Sequence, residues 1–165
     1  MDTDSSLEKL AEELVQFLKE KDMRIVLAES CTGGLLAKVL TDIPGASGAF
    51  LGGVVAYSDE AKEEILAVSR RDVVEFGVVS QRVVEEMAKG ARKLFHADAA
   101  LAITGVAGPG PSRGVEQGVI WIALSLSSGV MARRYVFEGA RSEVRLHAAK
   151  TALRLALENI LGQNI

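Results

Sequence analysis

The chain has 165 residues, 48% of them hydrophobic and 25% charged, and its 19 Lys and Arg against 22 Asp and Glu leave a net charge of −3; this suits one domain with a sizeable core, 1–165, and gives no footprint for nucleic acid. One cysteine, Cys31, excludes an internal disulfide, and two widely separated histidines, His96 and His147, lack zinc-ligand spacing, so no structural metal is expected. No apolar run approaches the roughly 20 residues of a membrane span, and the first six residues are acidic where a secretory signal is basic, so the expectation is a soluble cytoplasmic protein.

Leu7, Leu10, Leu14, Phe17 and Leu18 recur at helical spacing opposite Glu8, Lys9, Glu12, Glu13 and Lys19, which predicts an amphipathic helix from Ser6. Arg24 to Ala28 reads as a short buried strand. The apolar run stops within Ala28-Glu29-Ser30-Cys31-Thr32-Gly33-Gly34, and Leu35, Leu36, Val39 and Leu40 then continue as a helix until Ile43-Pro44-Gly45 ends it. After a loop over Pro44 to Gly48, a second strand is expected from Phe50 to Tyr57, with a bulge or close backbone contact at Gly52-Gly53.

Ser58-Asp59 caps a helix running through Lys62 to Leu66, and Ser69 with Asp72 starts a short one that closes at Gly77. Ser80 caps the next, whose predicted buried stripe is Val83, Val84, Met87, Ala88, Ala91 and Leu94. Ala99 to Ile103 is a third strand that ends in Thr104-Gly105 and gives way to a glycine- and proline-rich loop, Val106 to Gly114. Gln117 to Leu126 and Val130 to Phe137 form a hairpin, and a final helix, about Arg141 to Leu161, is expected to bury Leu146, Ala149, Leu153, Ala156 and Ile160. Strands alternating with helices imply an α/β fold, a three-layer α/β/α sandwich on a mixed, mostly parallel sheet, with a C-terminal hairpin plus long helix.

Ligands of open α/β sheets bind outside the carboxyl ends of the strands, and Ser30, Tyr57 and Thr104 all stand at such ends. Ser30 and Thr32 offer hydroxyls beside the unpaired amides of a helix start, where Gly33 and Gly34 permit close approach of a phosphate or oxyanion; they also suit ordinary caps. With no histidine near a strand end, Lys62 is the candidate base for Ser30, since burial in the first turn of its helix disfavours the ammonium. The alternative is a surface pairing of Lys62 with Asp59 or Glu63, and Tyr57 is equally readable as an edge aromatic. Cys31 ranks second as nucleophile, its side chain diverging from that of Ser30. Arg145, one turn after Arg141, suits an anionic substrate group or a pairing with Glu138 or Glu143.

Five ordered motifs, the turn at 28–34, Pro44-Gly45-Ala46-Ser47, Tyr57-Ser58-Asp59-Glu60-Ala61-Lys62, Gly77-Val78-Val79-Ser80 and Thr104-Gly105-Val106-Ala107-Gly108-Pro109-Gly110, make the chain resemble the CinA carboxy-terminal domain family. Characterised members of that family are nicotinamide mononucleotide deamidases. The resemblance implies hydrolysis of the nicotinamide carboxamide without metal or organic cofactor, on a small nucleotide substrate. It also implies that Ser30 is the nucleophile and Lys62 its base, with Ser47, Tyr57, Thr104 and Arg145 catalytic or substrate-positioning. Amides near Gly33-Gly34 or Gly105, with Thr32 beside them, would hold the oxyanion or substrate. Family members commonly form dimers, and the apolar face of the first helix is a candidate surface for a homodimer or higher homo-oligomer. Two-domain members add an amino-terminal molybdopterin-binding-like domain, so a stand-alone form is expected here.

The sequence departs from the family pattern twice. Asp59 stands where members usually carry asparagine, and its charge beside Lys62 would keep that lysine protonated. The segment Pro111-Ser112-Arg113-Gly114-Val115-Glu116-Gln117-Gly118 replaces the family's longer glycine-rich continuation. Two alternatives follow: a nucleotide-binding regulatory module with weakened chemistry, or a hydrolase of another small amide.

Overall fold

In the computed structural model, which describes residues 6–162, the Ser6 hydroxyl accepts the Lys9 amide at 3.2 Å and opens helix α1, Leu7–Glu20. Strand β1, Ile25–Glu29, leads to α2, Leu35–Thr41, and a 3₁₀ turn at Ala46–Gly48 precedes β2, Phe50–Val55. Three helices follow, α3 (Asp59–Leu66), α4 (Arg70–Phe76) and α5 (Gln81–Phe95), then β3 (Ala99–Gly105), the hairpin β4 (Val119–Leu126) and β5 (Gly129–Val136), and α6, Arg141–Leu161. Ser58 and Ser80 cap α3 and α5 by accepting the amides three residues on, as expected from their placement before helical patterns.

The sheet order is β2-β1-β3-β4-β5. β1 is parallel to both β2 and β3, whereas β4 is antiparallel to β3 and to β5, so four of the five strands share one direction. β1, β3 and β4 lie in the middle of this sheet and are buried on both faces, which is why their sequences read as continuous apolar runs. Leu51 is the extra residue of a bulge in β2, opposite the Ile25–Val26 step, and Gly52 there meets the Phe95 ring, with its Cβ position 3.0 Å from the ring edge.

Strand alternation sends Ile25, Leu27, Leu101, Ile103, Ile120 and Ile122 to one face, where they pack beneath α1, α2 and α6. Val26, Ala28, Ala100, Ala102 and Ala123 point to the other, beneath α3 and α5. The second face is built of small side chains, so α5 approaches closely. Gly90 is the tightest point: a Cβ there would sit 1.8 Å from the Leu66 carbonyl oxygen. That contact lets α5 cross the end of α3.

Two predicted core positions are corrected. Leu94 is half exposed because Phe95, the next residue, turns inward beneath Gly52 and fills the last turn of the stripe. Leu146 is 38% exposed, since it lies two positions from both Val144 and Ala148, about 200° round the helix from each buried neighbour. The apolar face of α1 is also not free for a second copy: Leu7, Leu10, Leu14 and Leu18 are buried in the layer that α1 shares with α6 and α2. No helix among the described residues is long and apolar enough to cross a membrane.

Candidate active site

At this sheet order the chain leaves β1 toward β2 on one side and later returns to β3 on the other, so a crevice opens beyond the carboxyl ends of β1 and β3. A cavity of about 520 Å³ occupies that place. Ser30 and Cys31 enter it from β1, Tyr57 and Lys62 from the β2–α3 junction, and Thr104 and Gly105 from β3. The segment 77–79 and the loop 108–115 form its walls with Arg141 from the start of α6. A volume of this order fits a small-molecule site rather than a macromolecular one.

Ser30 is held by the sheet, its amide donating to the Ile103 carbonyl at 3.0 Å, while its hydroxyl has no hydrogen-bond partner among the described residues and faces the cavity. Lys62 is 2% exposed. Its Nζ donates to the carbonyl oxygens of Ala56 at 3.0 Å and Ser58 at 3.5 Å. Burial, the largest influence, pushes the amine below the ordinary lysine range; the Asp59 charge opposes this and the Arg113 charge adds to it. The surface pairing weighed from the sequence does not form: Asp59 is taken by Arg113 at 2.5 Å, and Lys62 makes no ion pair with Glu63.

Thr104 is buried and its hydroxyl donates to the Val78 carbonyl at 3.0 Å, tying the 77–79 wall to the end of β3. Tyr57 is largely exposed at the mouth, and its hydroxyl accepts from Arg141 Nη2 at 2.9 Å. Gly105 is a packing requirement: an added Cβ would stand 2.7 Å from the Val119 carbonyl oxygen. Cys31 shares the cavity wall, yet burial pushes its thiol up to about 12, so it carries a proton at any working pH.

The amides that open α2 are not free for a ligand. Glu29, 1% exposed, folds its carboxylate over them and accepts from Gly34 at 3.0 Å, Leu36 at 3.2 Å and Ala37 at 2.8 Å. The Gly33 amide donates to the Ser30 carbonyl at 3.0 Å. Gly33 and Gly34, with φ +61° and +91°, therefore make the turn and do not line the cavity. Within this turn, only the amides of Cys31 and Thr32 have no hydrogen bond among the described residues. The positive end of the helix is neutralised by the chain itself.

Two further expectations are displaced. Arg145 lies outside the cavity and braces the turn, its Nη2 donating to the Thr32 carbonyl at 2.6 Å; beside it Arg145 Nε and Thr32 Oγ1 are buried with no partner among the described residues. Ser47 sits exposed on the 3₁₀ turn that precedes β2, at the amino ends of the parallel strands, away from the cavity. Arg141, one helical turn before Arg145, is the α6 arginine that reaches the cavity. Its spacing from Arg145 put both on one face in the sequence, but nothing there told which turn the sheet end would meet. Glu29 carried a signal that was open to use: a carboxylate in an apolar strand, one residue before a helix-opening turn, needs buried donors.

The CinA C-terminal domain family matches residues 7–160. The chain is 43% identical over 161 residues to the Escherichia coli nicotinamide-nucleotide amidohydrolase PncC, covering 96% of this chain and 98% of that protein. It is 42% identical over 156 residues to a Desulforamulus reducens putative competence-damage inducible protein, covering 94% of this chain but only 38% of that longer relative. Among solved structures, a competence damage-inducible protein A from Klebsiella pneumoniae superposes with a TM-score of 0.93 at 32% identity, over 95% of this chain and 98% of that one. The chain belongs to the CinA C-terminal domain family.

Proposed function

We propose that this protein hydrolyses the carboxamide of nicotinamide mononucleotide, releasing ammonia and nicotinate mononucleotide. The observation that carries the chemistry is an unpartnered serine hydroxyl in the same small cavity as a buried lysine whose nitrogen meets carbonyl oxygens and no carboxylate. The identity to an amidohydrolase of almost equal length supports the substrate.

In this mechanism the neutral amine of Lys62 takes the proton from Ser30 Oγ as that oxygen attacks the carboxamide carbon. The negative charge on the former carbonyl oxygen develops beside the amide of Cys31, which directly follows the nucleophile and lines the cavity with it. The C–N bond then breaks as Lys62 returns the proton to the leaving nitrogen, giving ammonia and an acyl ester on Ser30. Water, deprotonated by the same amine, hydrolyses the ester and regenerates the serine. Arg141 and Tyr57 at the mouth position the nucleotide, and Thr104 fixes the wall. The protein would act in the cytoplasm as a homo-oligomer, and sedimentation equilibrium of the purified chain is the test of the oligomeric state.

Ammonia release from nicotinamide mononucleotide, followed with the wild type and Ser30→Ala, tests this. The expected result is release by the wild type and none by the variant, which still binds the nucleotide. Tight binding without ammonia from the wild type would point instead to a regulatory module, and full activity of the variant would refute the nucleophile.

A further inference from the structure

The start of α3 and the loop 108–115 meet at the cavity rim through one ion pair. Asp59 begins α3 and faces the cavity rim; Arg113, 54 positions later, crosses from the loop and pairs with it at 2.5 Å. Arg113 is presented by a tight turn in which Ser112 and Val115 exchange both backbone hydrogen bonds at 2.9 Å, with Arg113 and Gly114 at φ +50° and +76°. This is the geometry of a type I′ turn, which fixes the direction of its central residues. Gln117 holds the same loop from behind, accepting the Gly110 amide at 2.7 Å and donating to the Gly139 carbonyl at 2.9 Å. The Arg113 side chain is 64% exposed, and an ion pair so open to water adds little to folding stability. Its consequence lies one turn along α3, at Lys62.

We propose that Arg113 is a positioning residue for the reaction: by holding the Asp59 carboxylate at the rim, it stops that carboxylate from capturing Lys62 and leaves the buried amine free to take the proton of Ser30. The proposal rests on Lys62 serving as the base. On the lysine's own helix Asp59 is the carboxylate whose charge acts on Lys62, while Glu60 is exposed and Glu63 half-buried, and neither pairs with the amine. From the other elements the groups around Lys62 are the Cys31 thiol, Arg113 and, across the cavity, Arg141 and Tyr57. On the α5 side Glu86 accepts the Ser69 amide and Arg82 pairs with Asp72, so neither engages the amine. The direction of the charge effects agrees: Asp59 favours the ammonium and Arg113 disfavours it. A carboxylate at position 59 and a cation at position 113 thus act on Lys62 as a pair of opposite sign.

The test is a double-mutant cycle on the full chain with two readouts. One is the midpoint of Lys62 titration, followed by NMR of ¹³C-labelled lysine and assigned with Lys62→Met; the other is the pH dependence of ammonia release from nicotinamide mononucleotide. Arg113→Gln is expected to move both midpoints upward by about one pH unit, and so to cut the rate near neutrality about tenfold. Asp59→Asn alone moves them downward. Asp59→Asn with Arg113→Gln brings them back near the wild-type value and restores most of the rate, and Arg113→Lys keeps it. An unmoved midpoint in Arg113→Gln, or a double variant no better than Arg113→Gln, would overturn the proposal, the latter because it is what a loop-ordering role gives. If Arg113→Gln does not fold, the downward shift in Asp59→Asn decides. Lys62 midpoints that move as stated while ammonia release ignores them would leave the effect of the Arg113–Asp59 pair on Lys62 standing, remove the lysine base, and so overturn the positioning role.

Discussion

Lys62 Nζ donates to the Ala56 carbonyl oxygen at 3.0 Å, and among the described residues it enters no ion pair. A buried amine that meets only neutral acceptors loses hydration in its charged form and gains no compensating anion, so its neutral form is favoured. Its folded titration point therefore lies below the ordinary lysine value of 10.5, chiefly through burial. In the unfolded chain the lysine holds its proton up to that ordinary value. Between the two points the unfolded state binds more protons, so stability rises with pH there; below both, the full cost of the buried ammonium is present. Replacing Lys62 by Met removes that cost along with the two hydrogen bonds. The stability difference between wild type and Lys62→Met, measured by urea unfolding, should thus shift in favour of the wild type as pH climbs toward 10.5. The same variant should lose turnover by a factor of about 10² to 10⁴, the usual worth of a positioned base.

Arg141 and Arg145 stand one turn apart and are expected to fail differently. Arg141 reaches the cavity, Tyr57 and the Gly108 carbonyl, so Arg141→Ala should raise KM for the nucleotide about tenfold or more with little change in melting temperature. Arg145 holds the Thr32 carbonyl behind the nucleophile turn, so Arg145→Ala should lower the melting temperature and reduce kcat. Steady-state kinetics beside calorimetry separates the two. Equal KM effects without a difference in stability would show that both arginines meet substrate.

Most of the scaffold was legible because strand burial and helix capping are local. The serines before α3 and α5, the apolar runs of β1 and β3, and the glycines beside the bulge at Leu51 each announce themselves over a few residues. The meeting of Ser30, Tyr57 and Thr104 followed from a topological rule about strand ends, Lys62 was reached from its place in the first turn of the next helix, and all four line one cavity. What the sequence hid is whatever depends on a choice among equivalent partners. Glu29 and a ligand compete for the same amides, Asp59 had Lys62 nearby and Arg113 far along the chain, and α6 offered two arginines on one face. Only the register of packed elements decides such contests.

Cys31 lies in the cavity wall next to the nucleophile, so a thiol mechanism makes a distinct prediction. With its thiol pushed up to about 12 by burial, the thiolate fraction near neutrality is negligible. Cys31→Ala should therefore keep ammonia release within about threefold of wild type. A thiol reagent should label Cys31 in the native protein far more slowly than in urea. Rapid labelling of the native protein, accompanied by loss of activity in Cys31→Ala, would move the nucleophile one residue along the chain.

Glu29 separates two accounts of the turn after β1. If the helix-opening amides bound the substrate phosphate, the buried carboxylate would compete with it, and Glu29→Gln would tighten nucleotide binding by removing a negative charge. The structure instead gives Glu29 three amides at the opening of α2, those of Gly34, Leu36 and Ala37, as permanent partners, each a hydrogen bond to a charged group. Glu29→Ala strands those donors in a buried place and should cost about 3 kcal/mol or more, read as a lowered urea midpoint at unchanged m. Glu29→Gln keeps one acceptor oxygen and should lose less. In Glu29→Gln the KM for the nucleotide should stay within about threefold of wild type, since the substrate meets the cavity side of the turn and not the amides behind it. A marked fall in KM with stability unchanged would return those amides to the ligand and make Glu29 a placeholder for its phosphate.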